Sequence, residues 1–389
     1  MSRQSLLLTS FVALFLQQAA LSAGTVDPAK GKLSDDNGTR WFDLRVLDVE
    51  GQAWRETKAP FDRLPAKAEG KVRDAVWGLS RHSAGLCARF ATNATTIKAR
   101  WTLTSATLAM PHMAATGVSG LDLYVRDESG FWRWLAVGQP TAQTNEANLV
   151  SNLPPVPKRS EPREFLLYLP LYNGVISVEI GLPPDATLAK ADPYKYDDGS
   201  LRKPIVFYGT SITQGGCASR PGMVHTAILG RRLEHPVINL GFSGNGRMEM
   251  EVVELLAEID ASVYVIDCLP NLEPAQVAER TEPLVHKLRE ARPKTPILMV
   301  EDRSYSDAFL VTSKRERNDY SRHALHSAFQ RLRGDGVEQL FYLEGDFLLG
   351  EDNEGTVDSS HPTDLGFFRQ ANAFEQVLEP IMFGEPTKR

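Results

Sequence analysis

A serine near the middle of the chain has a sequence context that suits nucleophilic chemistry. Ser211 follows the apolar run 205–208 and a glycine, a pattern that predicts a short buried strand ending just before the serine. Open α/β folds bind their ligands at the carboxyl ends of their strands, and a serine there becomes a nucleophile when a base lies near it. Taken alone, residues 209–211 are more typical of a loop or a helix cap, and the stretch 358–361 near the end of the chain reverses that preference.

The stretch 358–361 supplies the two groups that a serine nucleophile needs. His361 is a suitable base, because an unperturbed histidine titrates near pH ~6.5. Asp358 precedes it by three residues, within what we predict to be a tight turn. That spacing lets the carboxylate reach the far nitrogen of the imidazole and hold the tautomer that accepts the serine proton.

Donors for a tetrahedral oxyanion follow two further predicted strands. Gly244 comes after the apolar run 237–240, and Asn271 comes after the run 263–266. We expect the backbone N–H groups of Ser211 and Gly244 and the side-chain amide of Asn271 to form an oxyanion hole. Loss of one such donor typically lowers the rate by about 10²–10³.

These segments lie in a region, residues 201–389, that alternates between short apolar runs and helical patterns. The alternation predicts βαβ units, and therefore a five-stranded parallel sheet with helices on both faces. The strand ends that carry the candidate residues then meet at one edge of the sheet. The predicted strands are 205–208, 237–240, 263–266, 297–300 and 340–343, and the predicted helices are 223–233, 249–258, 274–291, 314–333 and 364–378.

Residues 40–190 have a different pattern, which predicts an all-β, jelly-roll-like sandwich domain. Turn sequences at 127–130 and 172–174 predict two hairpins. The polar, proline-containing segment 192–204 indicates the boundary between the two domains. The predicted strands are 41–47, 75–80, 86–91, 97–103, 121–126, 131–137, 165–170 and 175–180.

All six tryptophans of the chain lie in this first domain, and most fall within strand patterns. We therefore expect them to fill the sandwich core, although tryptophans also stack on sugar rings in carbohydrate-binding modules. Trp132 and Trp134 share one strand face and are the best candidates for an exposed pair. The six are Trp41, Trp54, Trp77, Trp101, Trp132 and Trp134.

The first 23 residues have the features of an export signal. Arg3 provides a positive start, 6–16 is an apolar run and 19–23 offers small residues for cleavage. The run is too short to span a bilayer comfortably. A secreted or periplasmic protein is therefore predicted, without stable membrane insertion after signal removal. An uncleaved N-terminal anchor is the alternative.

The composition argues against several other functions. A net charge of −6 provides no basic surface for nucleic acid. The cysteines Cys87, Cys217 and Cys268 match no metal-binding or disulfide spacing, so buried free thiols are the simplest interpretation, with a Cys217–Cys268 bridge left open. His323 and His326 share a predicted helix face but have no third ligand at a fitting spacing. We therefore predict no metal and no cofactor.

The residues described so far resemble the motifs of the SGNH hydrolase superfamily, the GDSL-type esterases, over about 203–380. Its Gly-Asp-Ser block corresponds to 209–211, with Thr210 in place of the aspartate. Its oxyanion glycine corresponds to Gly244, and its Asp-x-x-His block to 358–361. Its Gly-x-Asn-Asp block corresponds to 269–272, where leucines replace the glycine and the aspartate. The resemblance implies a three-layer, flavodoxin-like catalytic domain, and the first domain looks like the β-sandwich of some secreted bacterial members.

The ordinary α/β-hydrolase fold fits the sequence less well. Its nucleophile elbow is Gly-x-Ser-x-Gly, and Thr213 stands at the position of the second glycine. Its acid and histidine usually come from separate loops, whereas here both lie within 358–361.

Several residues near the predicted sheet edge are candidates for substrate binding. Arg220 and Arg247 are suited to a polar or anionic group, Glu301 to sugar hydroxyls, and His225 to the border of the pocket. Each also has an ordinary structural interpretation, namely a surface ion pair or a helix terminus. The loop 110–113 is the part of the first domain where we look for a contribution to the pocket.

The sequence thus predicts a serine esterase, and the resemblance implies a small acyl group, above all acetyl on a carbohydrate. The export signal, the β-sandwich and the absence of a long apolar lid favour a saccharide ester over a lipid. Two other functions remain open: a lipid or thioester acylhydrolase, and a glycan-binding protein whose esterase domain is silent.

Overall fold

A computed structural model of the protein describes residues 24–157 and 161–384. Two antiparallel sheets in the first half form a β-sandwich, and a parallel sheet in the second half carries helices on both faces. The predicted fold class is confirmed. Within the described ranges, no helix combines the length and the apolar character needed to cross a membrane. The predicted signal peptide, 1–23, lies outside the described residues.

The two sheets of the sandwich enclose a hydrophobic core. Its described strands are β1 (Lys32–Leu33), β2 (Arg40–Asp43), β3 (Val49–Glu50), β4 (Cys87–Thr92), β5 (Ile97–Leu103), β6 (Leu121–Arg126), β7 (Trp132–Gly138), β8 (Thr144–Val150), β9 (Arg163–Tyr168), β10 (Val175–Leu182) and β11 (Leu188–Lys190). One sheet has the order β1-β2-β10-β5-β8, and the other has the order β11-β4-β9-β6-β7, with β3 paired to β4. Every second residue of β5 is buried, as expected for a strand with one face on the core.

Two local predictions for the sandwich are wrong. The segment 75–80 is part of helix α1 (Asp74–Ser80), and its apolar side chain Val76 packs against the second domain. The strands β9 and β10 do not form a hairpin, because β9 pairs with β4 and β6 whereas β10 pairs with β2 and β5. The turn at 172–174 therefore carries the chain from one sheet to the other.

The tryptophans divide between three environments. Trp41 and Trp101 are buried in the sandwich, whereas Trp54 and Trp77 pack against the core of the second domain. Trp134 is 50% exposed, and Trp132 beside it is half-buried. The expected core role thus holds for part of the set only.

The parallel sheet of the second domain has the strand order β13-β12-β14-β15-β16. Its strands are β12 (Ile205–Gly209), β13 (Val237–Gly241), β14 (Val263–Asp267), β15 (Ile297–Val300) and β16 (Leu340–Leu343). Gly209 lies in register with both Gly241 and Asp267, so three strands end side by side. The order reverses beside the first strand, and a reversal of this kind marks the ligand-binding crevice of open α/β sheets.

Helices cover both faces of this sheet because alternate side chains of each strand point in opposite directions. Ile205 and Phe207 pack with the side chains of two helices, and Val206 and Tyr208 pack with those of three others. The first pair is α4 (His225–Leu233) and α8 (Asp364–Phe383), and the others are α5 (Met250–Glu258), α6 (Pro274–Ala291) and α7 (Thr312–Gly334). The remaining helices, α2 (Ala115–Val118) and α3 (Ser211–Gln214), lie in loops near the strand ends.

The segment 51–81, between β3 and β4, leaves the sandwich and packs against the second domain. Leu64, Val72 and Val76 belong to the same buried cluster as the sheet residues Val206 and Tyr208. Polar contacts support this packing, since Glu258 of α5 accepts hydrogen bonds from Trp54 at 3.0 Å and Lys67 at 2.6 Å. The second domain therefore has a core that residues from both halves of the chain complete.

Candidate active site

Ser211, His361 and Asp358 form a hydrogen-bonded chain. Oγ of Ser211 lies 2.9 Å from Nε2 of His361, and Nδ1 of His361 lies 2.8 Å from Oδ2 of Asp358. This arrangement favours the tautomer with its proton on Nδ1, and it leaves the lone pair of Nε2 for the serine hydroxyl. Ser211 is 7% exposed and His361 is half-buried, so both groups remain in reach of the solvent.

The carboxylate of Asp358 is held by the turn that it begins. Its Oδ1 accepts the main-chain N–H groups of Ser360 at 3.1 Å and His361 at 2.8 Å. Burial acts to raise the pKa of Asp358, but the hydrogen bonds from the main chain and ring of His361 outweigh it, so the pKa lies below its usual range. The carboxylate therefore stays ionised and can stabilise a positive charge on the imidazole.

Two glycines at strand ends let the nucleophile helix α3 fold back onto the sheet. A Cβ at Gly209 would lie 2.1 Å from Oγ1 of Thr213, and a Cβ at Gly241 would lie 2.1 Å from the main-chain nitrogen of Gln214. Below the helix, Oγ1 of Thr213 donates to Asp267 at 3.0 Å. The helix therefore starts at Ser211 in a fixed position over the strand ends.

Asp267, the acceptor beneath the nucleophile helix, is itself paired with a buried arginine. Arg303 donates to both of its carboxylate oxygens, and its Nε donates to Gln370 at 2.8 Å. Asp267 and Arg303 are 0% and 2% exposed, and a buried ion pair satisfied in this way fixes the geometry around it.

The three predicted oxyanion donors lie at the ends of three adjacent strands. As the first residue of α3, Ser211 has a main-chain N–H without an acceptor inside the helix. Gly244 is exposed, has a positive φ of 66° and has no atom within 4 Å of the position of an added Cβ. Nδ2 of Asn271 donates to the carbonyl of Asn245 at 2.6 Å, and an amide NH₂ has a second hydrogen that such a bond leaves free.

The loop that carries Gly244 is tied to the nucleophile helix by a residue that the sequence reasoning missed. Gln214, fully buried, accepts the main-chain N–H of Ser243 at 2.9 Å. Its amide nitrogen lies 3.1 Å from Nδ1 of His82, the residue that follows the docked segment 51–81. Burial, and then the charge of Arg63, lowers the pKa of His82 to about 4, so His82 is neutral and accepts the amide hydrogen.

The sandwich domain contributes two side chains to the site. The ring of His112, from the loop 110–113, lies edge-on to His361 with centroids 5.9 Å apart. The hydroxyl of Tyr172 donates to the carbonyl of Ser211 at 3.1 Å. Sequence reasoning pointed to the loop of His112 but not to Tyr172, which it assigned only to a hairpin turn.

Two of the four candidate substrate-binding residues lie in structural contacts away from the triad. Arg220 pairs with the buried carboxylate of Asp122 at 2.9 Å and stacks over Trp134, so it joins the two domains. His225 is 0% exposed and stacks between Phe367 and Phe374 in the core, where it has no surface for a substrate.

The other two candidates lie along the same sheet edge. Glu301 is 9% exposed and accepts hydrogen bonds from the hydroxyl of Tyr342 at 2.6 Å and the main chain of Gly345 at 2.9 Å. Arg247 donates to the carbonyl of Gly244 at 2.9 Å, so it braces the loop of the predicted oxyanion glycine. Of the four, Arg247 is the residue that the structure brings into contact with a predicted site residue.

Two family models match the chain. One, the GDSL-like lipase/acylhydrolase family, matches residues 202–379, and the other, the N-terminus of the SGNH-hydrolase type of esterase, matches residues 39–188. Among curated proteins, none matches the chain.

Solved structures extend the similarity over both domains. A protein of Bacteroides ovatus ATCC 8483 described as a GDSL-like lipase is 36% identical, with a TM-score of 0.82 over 88% of this chain and 98% of that chain. The salicylyl-acyltransferase SsfX3 of a tetracycline biosynthetic pathway is 17% identical, with a TM-score of 0.65 over 89% and 98%. A family two carbohydrate esterase from Cellvibrio japonicus is 13% identical, with a TM-score of 0.56 over 88% and 98%.

The two lower identities show a shared fold, whereas the match to the Bacteroides protein is close enough to show a shared family. The first matched range includes the strand ends that are followed by Ser211, Gly244 and Asn271, and the loop before α8 that carries His361. The chain belongs to the GDSL-like lipase/acylhydrolase family, and it is an esterase or acylhydrolase of the SGNH type.

Proposed function

We propose that the protein is a serine esterase that removes small acyl groups, above all acetyl, from carbohydrates. The observation that carries the proposal is the chain of hydrogen bonds from Asp358 through His361 to Ser211, with distances of 2.8 and 2.9 Å. Acyl transfer through a covalent serine ester needs this combination of nucleophile, base and orienting carboxylate.

In the first half of the reaction, Oγ of Ser211 attacks the carbonyl carbon of the ester while Nε2 of His361 takes the hydroxyl proton. The oxyanion that forms accepts hydrogen bonds from the main chain of Ser211 and Gly244 and from the amide of Asn271. The intermediate then collapses, the alcohol leaves with the proton from His361, and the acyl group stays on Ser211.

In the second half, water replaces the alcohol. His361 takes a proton from the water as its oxygen attacks the acyl carbon, and the same donors hold the second oxyanion. Collapse of this intermediate breaks the bond to Ser211, which regains a proton from Nε2. The free acid leaves, and the enzyme returns to its starting state.

Limited room beside the base supports a small acyl group. The ring of His112 stands against His361, and a Cβ at Gly216 would lie 2.8 Å from the hydroxyl of Tyr172. Two cavities of about 790 and 740 Å³, and one of about 440 Å³ that Arg247 lines, include none of the triad residues in their walls. A lipid acylhydrolase would need space for a long acyl chain.

A carbohydrate as the alcohol part follows from the context of the domain. The predicted export signal would place the protein outside the cytoplasm, in the periplasm or the medium, where polysaccharides are found. Solved proteins described as a family two carbohydrate esterase and an acetyl xylan esterase share the fold over 88% and 87% of this chain. These observations support a saccharide ester as the substrate class.

The decisive experiment compares hydrolysis of aryl acetate, butyrate and octanoate by the wild type, Ser211→Ala and Ser304→Ala. We expect the acetate to react fastest and Ser211→Ala to lose at least about 10³-fold in rate, since it removes a triad member. Ser304, beyond the end of β15, is the matched control and should keep its activity. A fluorophosphonate should label the wild type and Ser304→Ala but not Ser211→Ala.

The two alternative functions would give different results in these experiments. A rate that rises with acyl chain length would favour a lipid or thioester acylhydrolase. Glycan binding by wild type and Ser211→Ala alike, with no hydrolysis of any ester, would favour a silent esterase domain. An aryl ester contains no sugar and so does not test the carbohydrate part of the substrate. Release of acetic acid from acetylated xylan or mannan oligosaccharides tests that part directly.

A further inference from the structure

Two side chains beside the catalytic base have no step in the proposed reaction. His112, Cys217 and His361 each offer one ligand atom, and the three atoms lie within 4.8 Å of one another. Two imidazoles and a thiol form a donor set typical of zinc and similar borderline-soft cations. We propose that this cluster binds Zn²⁺ or a cation of the same class, and that binding switches the esterase off.

The spacing of the three donors suits a tetrahedral ion. Zinc–sulfur bonds of ~2.3 Å and zinc–nitrogen bonds of ~2.0–2.1 Å place neighbouring donors roughly 3.3–3.6 Å apart. The cluster, at up to 4.8 Å, is about 1 Å wider. His112 is exposed, so its ring can rotate toward the other two donors, and the fourth position is left for water.

His112 is presented by a turn that is fixed against the catalytic domain. Met110 and Met113 exchange two main-chain hydrogen bonds of 3.1 Å across the turn. Met113 is 3% exposed and packs in a cluster with Ile212 of the nucleophile helix and Ala218. The backbone of the turn is therefore held in place while the imidazole at its tip remains free to rotate.

Cys217 is held at the site from the other side. It has a positive φ of 75°, is 8% exposed and is a free thiol. The next residues are anchored, because Ser219 donates its main-chain N–H to Asp364 at 2.9 Å and its carbonyl accepts the hydroxyl of Thr116 at 2.5 Å. The loop that carries Cys217 is thus as well fixed as the turn that carries His112.

The catalytic triad itself supplies the outer support for a metal ligand. Nδ1 of His361 is taken by Asp358 at 2.8 Å, so Nε2 is the nitrogen available to a cation. Metal-bound histidines commonly donate their other ring N–H to a carboxylate in this way. A cation on Nε2 would occupy the lone pair that takes the proton of Ser211, and acylation would stop.

Coordination also changes the protonation of the thiol. The S–H bond of Cys217 breaks, a sulfur–metal bond forms and the proton passes to solvent. No oxidation occurs, so removal of the cation by a chelator restores the thiol and the activity. The inference rests on the proposed function only for its activity readout.

The first test is a Zn²⁺ titration of ester hydrolysis by the wild type, Cys217→Ser and His112→Ala, each relative to its own zinc-free rate. We expect reversible inhibition of the wild type and an inhibition constant raised at least about 10-fold in both variants, as for loss of a ligand contact. Cys87→Ser, a thiol that is also 8% exposed, and His286→Ala, an exposed histidine, are the controls. Equal inhibition of all five proteins would overturn the proposal.

The second test does not depend on turnover. Co²⁺ added to the full-length protein should produce a thiolate-to-cobalt charge-transfer band at one equivalent, and Cys217→Ser should lack it whereas Cys87→Ser keeps it. Absence of the band from the wild type would contradict the proposed metal site, whatever the result of the esterase assay. A band in a protein that hydrolyses no ester would keep the metal site and reject the proposed function.

Discussion

The guanidinium of Arg63 lies 2.7 Å from the carbonyl oxygen of Gly241, at the end of the strand that leads to the predicted oxyanion glycine, Gly244. Arg63 is 1% exposed, and it also donates to the carbonyls of Leu79, His82 and Asn239 at 2.7–3.1 Å. Burial lowers its pKa to about 9, so the side chain is still a cation at neutral pH. One side chain thus joins the segment 51–81 to the second parallel strand.

Arg63→Met is expected to destabilise the whole protein by roughly 3–5 kcal/mol, because four buried or partly buried carbonyls lose a charged donor. Urea unfolding followed by fluorescence measures this change. Arg45→Met is the control, since Arg45 is 59% exposed and its ion pair with Asp43 should contribute at most about 1 kcal/mol. Equal destabilisation by the two substitutions would show that Arg63 does not join the domains.

Gly244→Ala is expected to lower kcat by about 10- to 100-fold through displacement of an oxyanion donor. Gly130→Ala is the matched control, because both glycines have a positive φ, 66° and 83°, and neither has an atom within 4 Å of an added Cβ. Both substitutions should therefore cost a similar backbone strain of about 1–2 kcal/mol, measured as a lowered Tm. An unchanged kcat for Gly244→Ala would remove this residue from the oxyanion hole.

Asp358→Asn is expected to lower kcat by about 10³-fold with little change in KM. An amide cannot stabilise the imidazolium, and it favours the wrong tautomer of His361. The expected loss is below the ~10⁴ known for a buried triad aspartate, because the Asp358 side chain is 41% exposed. Steady-state kinetics beside the control Asp352→Asn, which loses only an exposed pair with Arg369, measure the effect. A loss of less than about 10-fold would assign the orienting role to another group.

The free energy of unfolding is expected to fall as the pH drops from about 6.5 to about 4. Burial lowers the pKa of His82 and that of His235 to about 4, below the value of an unfolded histidine. In this window the unfolded state binds more protons than the folded state, so acid favours unfolding.

For His82 the loss is at most roughly 3 kcal/mol. Urea unfolding at pH ~7.5 and ~4.5 measures the effect in the wild type, His82→Gln and the exposed control His286→Gln. His82→Gln should show a smaller loss than the other two proteins. An identical loss in all three would mean that His82 takes no part in the acid sensitivity.

The sequence alone could predict the parallel sheet and the convergence of the candidate residues, because both depend on local patterns. Each strand of that sheet is a short apolar run, and Ser211, Gly244 and Asn271 lie in the loops that follow three of them. The close pair Asp358 and His361 needs no long-range contact, since its turn forms from neighbouring residues.

Contacts between distant parts of the chain could not be predicted in this way. The helical state of Asp74–Ser80 depends on burial of Val76 against the second domain, a surface that the local pattern does not describe. Tyr172 reaches Ser211 only because the chain crosses between the two sheets at 172–174. Arg220 and His225 were candidates by position along the chain, and only the fold shows that one pairs with Asp122 and the other lies in the core.

The packing of segment 51–81 has a consequence for how this gene can evolve. Recombination at the polar stretch 192–204 would separate Leu64 and Val76 from the sheet residues that they cover. The transplanted catalytic half would expose an apolar face and lose the carbonyl partner of its second strand, Arg63. Selection should therefore keep the sandwich and the hydrolase domain together as one heritable unit. Exchange of either domain alone with another gene should be rare, although the order of domains along the chain suggests that it is possible.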